Sequence, residues 1–193
     1  MRLFVALDLP QEVASYVTEV QSQLKQEIRA DRWQPTHNLH LTLHFLGEVK
    51  EELLPAIRQD MDMVSQIMAP FWLNTGYLGA FPSPEKPRVL WMGLHGGVDS
   101  LKQLHLLLGK RFKMHQGLHF DRKPYRPHIT LARGPQTNGS PLPLEQWGHR
   151  IHTNSGPRFE VNKVHLYQSE LRPQGAIHTI IHTSSFSLVQ SAT

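Results

Sequence analysis

The chain reads as an α+β protein whose strands are mostly antiparallel neighbours, rather than as a doubly wound parallel sheet. Three observations carry this reading. Apolar runs of strand length alternate with longer stripes at helical spacing. Several strands are separated only by turns, too short for the crossover that parallel pairing needs. No linker or low-complexity stretch divides the 193 residues, so residues 1–193 are expected to form one domain.

The elements follow in order. Leu3–Leu7 is a short apolar run expected as a buried strand. Pro10 and Glu12 then open a helix, Pro suiting the first turn and Glu the positive end of the dipole. Val13, Val17, Val20, Leu24 and Ile28 form its apolar stripe. Pro35 and Asn38 mark a loop before a period-2 strand, His40–Leu46, which Gly47 stops. Glu51–Met68 is expected as a second helix with Leu54, Ile57, Met61, Val64 and Met68 inward. Strands follow at Phe71–Leu78 and Val89–Leu94, around a Pro/Gly-rich loop. A third helix is expected over Val98–Met114, a short strand at His128–Ala132 and a helical turn at Leu144–His149. Two last strands, Phe159–Leu171 and His178–Val189, flank Pro173-Gln174-Gly175.

Composition removes several classes of chemistry. With no cysteine, a disulfide scaffold, a thiolate zinc site, an iron–sulfur cluster and a cysteine nucleophile all fall away. Apolar residues at 39% are enough for a true core. No apolar run reaches the ~18 residues of a membrane span, and the start of the chain is too short an apolar stretch for a secretory signal. A cytoplasmic monomer is expected. The charge of +4 permits a polyanionic partner without specifying one.

One internal repeat bears on function. His40-Leu41-Thr42-Leu43 and His128-Ile129-Thr130-Leu131 share a pattern, each after a proline-containing loop and each in a stretch that reads as strand. On a strand, His and Thr two apart project from one face while the apolar residues pack beneath. By the same alternation His44 joins His40 and Thr42, whereas Phe45 points to the core. Two such platforms brought together place two imidazoles and two hydroxyls around one pocket. That set suits displacement at phosphorus: one imidazole takes a proton from the attacking oxygen, and the other protonates the departing one. Thr42 and Thr130 would bond the non-bridging oxygens. Because the motifs are near-identical, spacing does not say which histidine is acid and which is base.

Beyond the tetrapeptides, the chain resembles the two-histidine (2H) phosphoesterase superfamily, in particular its RNA 2',3'-cyclic phosphodiesterase branch, historically called 2'-5' RNA ligases. The resemblance runs through Arg2-Leu3-Phe4-Val5-Ala6-Leu7, Trp33-Gln34-Pro35, Asn38 to Gly47, Phe81-Pro82-Ser83-Pro84, Pro87 to Trp91, Pro127 to Arg133, and Leu166 to Leu171. It implies a bilobal fold: two pseudo-symmetric antiparallel sheets with outer helices, intertwined around a central cleft. It implies hydrolysis of a terminal 2',3'-cyclic phosphate on RNA, tRNA-derived ends included, to a 2'-phosphate without metal or cofactor. His40 would then be the proton donor and His128 the proton acceptor. Arg133 would bind substrate, provided the strand ends or bulges at Ala132-Arg133; His44 and Phe45 are candidates for lining the pocket.

Other readings use the same residues. His37, His40 and His44, with His178 and His182, have spacings a metal site could use, but Leu41 stands where a zinc helix motif has Glu. Arg88, Lys110, Arg111, Lys113, Arg122, Lys123, Arg126 and Arg133 would suit a non-catalytic RNA-end-binding module. A small cyclic nucleotide or an ADP-ribose cyclic phosphate would suit the same chemistry.

Overall fold

The computed structural model describes residues 1–153 and 156–188. Its nine strands join in one curled antiparallel sheet. They are β1 (Arg2–Asp8), β2 (Ala30–Trp33), β3 (His40–Glu48), β4 (Phe71–Phe81), β5 (Val89–Gly96), β6 (Ile129–Pro135), β7 (Arg158–Val161), β8 (Lys163–Arg172) and β9 (Gly175–Ser185). The helices are α1 (Gln11–Leu24), α2 (Leu54–Gln66), α3 (Val98–Phe112) and α4 (Leu144–Ile151).

The sheet has two halves. Outward from the junction, one half runs β3-β1-β8-β9 and the other β6-β5-β4-β7, with β2 added to β6. The halves meet at a single registered pair, Leu41 opposite Ile129. Past that pair β3 leaves β6, and β2 takes over the same edge of β6 through Trp33↔Ala132, Arg32↔Arg133 and Ala30↔Pro135. Divergence of two strands from one contact opens a cleft on the sheet's concave side.

Two of the helices, α1 and α3, cross between the halves. Following β1, α1 packs behind β6, where the Gln21 side-chain amide donates to the Leu131 carbonyl at 2.9 Å. Similarly α3 follows β5 but lies behind β3, where His44 Nε2 donates to the His105 carbonyl at 2.7 Å. A continuous core takes residues from both halves, among them Val5, Leu41, Leu73, Leu104 and Leu131. No helix among the described residues is long and apolar enough to cross a membrane.

Several boundaries differ from the sequence expectation. The first helix ends at Leu24, and the chain turns so that Ile28 is buried from a loop. The four-residue β2 was not expected, because Ala30-Asp31-Arg32-Trp33 has no apolar alternation; its reason to exist is the free edge of β6. The expected strand Phe159–Leu171 is two strands, β7 and β8, which pair with opposite ends of the sheet. The last strand begins at Gly175 and ends at Ser185; Val189 lies outside the described residues.

Candidate functional site

The cleft holds about 800 Å³ and is lined by both motifs: His40 and Thr42 from β3, His128 from the residue just before β6 and Thr130 from its start. The Leu41–Ile129 pair is antiparallel. Continued one step each way, that register sets His40 across from Thr130 and Thr42 across from His128. Each imidazole thus faces the other motif's hydroxyl, about a pseudo-twofold axis through the apolar pair.

Both histidines are oriented alike. His40 Nδ1 donates to the Asn38 carbonyl at 2.6 Å, and His128 Nδ1 donates to the Arg126 carbonyl at 2.7 Å. A carbonyl can only accept, so Nδ1 carries the proton and each Nε2 is left for the cleft. The loop ahead of β3 is itself anchored: the Asn38 side-chain amide donates to the Ala176 carbonyl at 2.8 Å, and Gln34 Nε2 donates to the Asn38 carbonyl at 3.0 Å. Aromatic rings hold each imidazole from behind, Phe4 for His40 and Phe81 for His128, both with centroids 4.9 Å away.

A β-bulge recurs in the two strands. Between Val5↔His44 and Ala6↔Thr42 the register skips Leu43. Between Leu90↔Ala132 and Trp91↔Thr130 it skips Leu131. An extra residue reverses the alternation after it. His44 and Ala132 are therefore buried, while Phe45 and Arg133 turn outward to line the cleft.

This corrects the expectation for His44. It does not line the pocket: it is 4% exposed, stacks on His105 at 4.0 Å and fits over Gly109, where a Cβ would come within 3.1 Å of its ring. Phe45, which alternation alone would bury, lines the cleft as its candidacy for the pocket has it, with Arg2 over its ring at 5.1 Å. The metal-like spacings are also parted. His44 leaves the face of His37 and His40, and His182 bonds Asp62 at 2.8 Å, away from His178 in the cleft. Among the described residues no three His, Asp or Glu side chains gather as a metal-binding group.

The cleft is cationic. Arg2, Arg32, Arg133 and Arg172 line it together with His37, His40, His128 and His178, and no Asp or Glu is among the lining residues. Burial holds His40 well below the ordinary histidine range, at about 4, with further lowering by His178, His128 and Arg133 and partial opposition from the Asn38 hydrogen bond. His128 is lowered as well, by burial first and then by Arg133 and Arg126, again opposed by its carbonyl partner. An anion in the cleft would raise both, since it favours the imidazolium.

Arg2, Arg32 and Arg172 also line the cleft, and so does His178, which its spacing marked only for a metal site. His178 packs edge-on against His40 at 5.5 Å. Nothing local marks them for this cleft, because each reaches it through a strand pairing between distant segments. Of the basic residues weighed as an RNA-binding set, Arg111 instead holds the buried Asp60 between helices, at 2.8 Å.

Paired His-x-Thr strands around one cleft are the arrangement of the two-histidine phosphoesterases. The chain belongs to the LigT-like phosphoesterase family, whose family model matches residues 7–91 and 98–178. It is 34% identical to the RNA 2',3'-cyclic phosphodiesterase of Thermus thermophilus, across 96% of this chain and 90% of the relative. The enzyme of the same name from Thermotoga maritima is 30% identical, across 96% of each. Among solved structures, a protein from Thermus thermophilus superposes with a TM-score of 0.80 at 31% identity, covering 97% of this chain and 98% of that one. Escherichia coli LigT complexed with 3'-AMP gives a TM-score of 0.73 at 25% identity, covering 97% and 98%.

Proposed function

We propose that this protein hydrolyses the terminal 2',3'-cyclic phosphate of RNA to a 2'-phosphate, by general acid–base catalysis from its two motifs. The observation that carries the reading is the pair of histidines held alike through Nδ1, each presenting Nε2 to one cleft lined without a carboxylate. Relatives of 34% and 30% identity with that activity in their names support the substrate class.

In the proposed reaction the cyclic phosphate sits between the motifs, its charge met by Arg133. His128, neutral, accepts a proton at Nε2 from water as the water oxygen bonds phosphorus. The bond from phosphorus to O3' breaks on the opposite side, and cationic His40 gives its Nε2 proton to O3'. One water is consumed, a 2'-phosphomonoester and a 3'-hydroxyl form, and proton exchange with solvent resets both rings. Thr42 and Thr130 donate to the non-bridging oxygens, where negative charge builds. The assignment of acid to His40 and base to His128 rests on the family resemblance.

The test is turnover of an oligoribonucleotide ending in 2',3'-cyclic phosphate, in excess EDTA. The expected product is the 2'-phosphate. A 3'-phosphate product, or activity lost to the chelator, would overturn the scheme.

A further inference from the structure

The cleft's positive charge is concentrated at one end in a way the reaction at the cyclic phosphate does not require. Arg32 of β2 and Arg133 of β6 are directly opposite in register, and both line the cleft. Like charges across an antiparallel pair are destabilising. Among the described residues neither guanidinium has a carboxylate oxygen within 4.0 Å to relieve it. Asp31, the acidic neighbour of Arg32 in sequence, packs against Gly134 instead, its carboxylate filling the place where a Cβ would stand.

A third segment arrives at the same place. The turn joining β8 and β9 passes Arg32 so closely that a Cβ on Gly175 would lie 3.4 Å from the guanidinium. Gly175 has φ +128°, a conformation that favours glycine. Arg172, at the end of β8, and Gln174 of that turn also line the cleft. Arg172 pairs with Glu170 at 3.0 Å, an exposed pair of little worth that a phosphate can compete with. Along β6, Arg133 is three residues beyond Thr130, with one of them in the bulge. That backbone separation is roughly 7–10 Å at about 3.3 Å per residue, which the long Arg133 side chain spans back to the cyclic phosphate and which is also the span of one nucleotide.

We infer that Arg32, with Arg172 and with Arg133 shared between the two positions, forms a subsite for a second phosphate: the phosphodiester joining the terminal nucleotide to the rest of the chain. The inference rests on the proposed function and deepens it. The preferred substrate is an oligonucleotide with a cyclic phosphate end, not a free 2',3'-cyclic mononucleotide, because only the former carries an anion to separate these arginines. Guanidinium is the group suited to this, since its planar fork meets phosphate oxygens two at a time.

The experiment compares kcat/KM for a trinucleotide ending in 2',3'-cyclic phosphate with that for 2',3'-cyclic AMP, in wild type, Arg32→Ala and Arg32→Ala/Arg172→Ala. Wild type should favour the trinucleotide by at least about tenfold. Arg32→Ala should cut that preference by about tenfold, and the double variant should bring the ratio near one. The slope of log kcat/KM against log salt for the trinucleotide should shallow by about 0.7 for one lost phosphate contact. A preference insensitive to Arg32→Ala overturns the subsite. Anisotropy of the 5'-labelled trinucleotide separates this proposal from the reaction it rests on. If wild type turns over neither substrate but Arg32→Ala weakens binding, the subsite stands and the proposed reaction falls; if binding is also unchanged, both fall.

Discussion

The strands β3 and β6 use one plan and differ in what they place at its outer position. Each starts from a histidine clamped to the carbonyl two residues back, at 2.6 Å and 2.7 Å. Each continues with a threonine on the same face and then a bulge. After the bulge β3 turns out an aromatic ring, Phe45, and β6 turns out a cation, Arg133. Inward, β3 buries His44 where β6 buries Ala132. The symmetric part suits the part of the proposed reaction that is itself symmetric, a proton taken on one side of phosphorus and given on the other. The asymmetric part suits an asymmetric ligand, since a nucleotide has a flat base at one side and a charged backbone at another.

The largest expected effect tests the shared plan. His40→Ala and His128→Ala should each lower kcat by at least ~10². Comparable losses would support two equivalent proton-transfer sites, and near wild-type turnover by either variant would break the two-histidine scheme.

Substitutions after the bulge test the difference. Arg133→Met should lower kcat/KM by roughly 10–100-fold, as expected for losing a hydrogen bond to a charged group of about 1.5–3 kcal/mol. It should also flatten the salt dependence. Phe45→Ala should act through KM, by roughly tenfold if a base stacks there, and leave the salt slope as in wild type. Identical salt behaviour of the two variants would refute the division into an aromatic and an ionic end.

The pH profile ties the halves together. His40 is held at about 4 and His128 below its ordinary value of 6.5. With one group needed protonated and the other neutral, kcat/KM of the free enzyme should be bell-shaped, with its optimum between about 4 and 6.5 whichever ring is the acid. Arg133 lowers both rings, so Arg133→Met should move both limbs to higher pH. A shift of only one limb would show that Arg133 serves one motif alone. Folding should respond to the same groups. His40 and His105, both near 4 in the folded chain, take up protons earlier when unfolded, so stability should fall as pH drops from 6.5 towards 4. The urea midpoint measured across that range reads this directly.

The smallest effect on catalysis belongs to His44. His44→Ala leaves a void over Gly109 and removes the donor to the His105 carbonyl. It should cost about 1–3 kcal/mol of stability while kcat/KM stays close to wild type. A large loss of turnover in a well-folded His44→Ala protein would contradict the placement of this residue outside the cleft. Tyr125 is a further link between halves, its hydroxyl donating to the Thr42 carbonyl at 2.9 Å three residues before His128. Tyr125→Phe should lower stability by about 1 kcal/mol.

Much of this molecule could be read from its sequence, for a definite physical reason. Helical stripes, period-2 alternation and the doubled His-x-Thr pattern are local, and local periodicity fixes which residues share a face as long as the period holds. Thus the α+β class, most elements and the two histidine–threonine platforms were legible in one pass along the chain. Alternation by itself misplaces His44 and Phe45, because a bulge adds one residue and the choice to bulge depends on how β3 pairs with β1. In the same way β2 exists only because β6 offers an edge, and the approach of Arg32 to Arg133 and Gly175 depends on three segments far apart in sequence. Residue types and spacing determined which chemistry this chain could carry. The tertiary structure alone decided which cations and rings surround it, since strand pairing is a property of two segments and neither segment records it by itself.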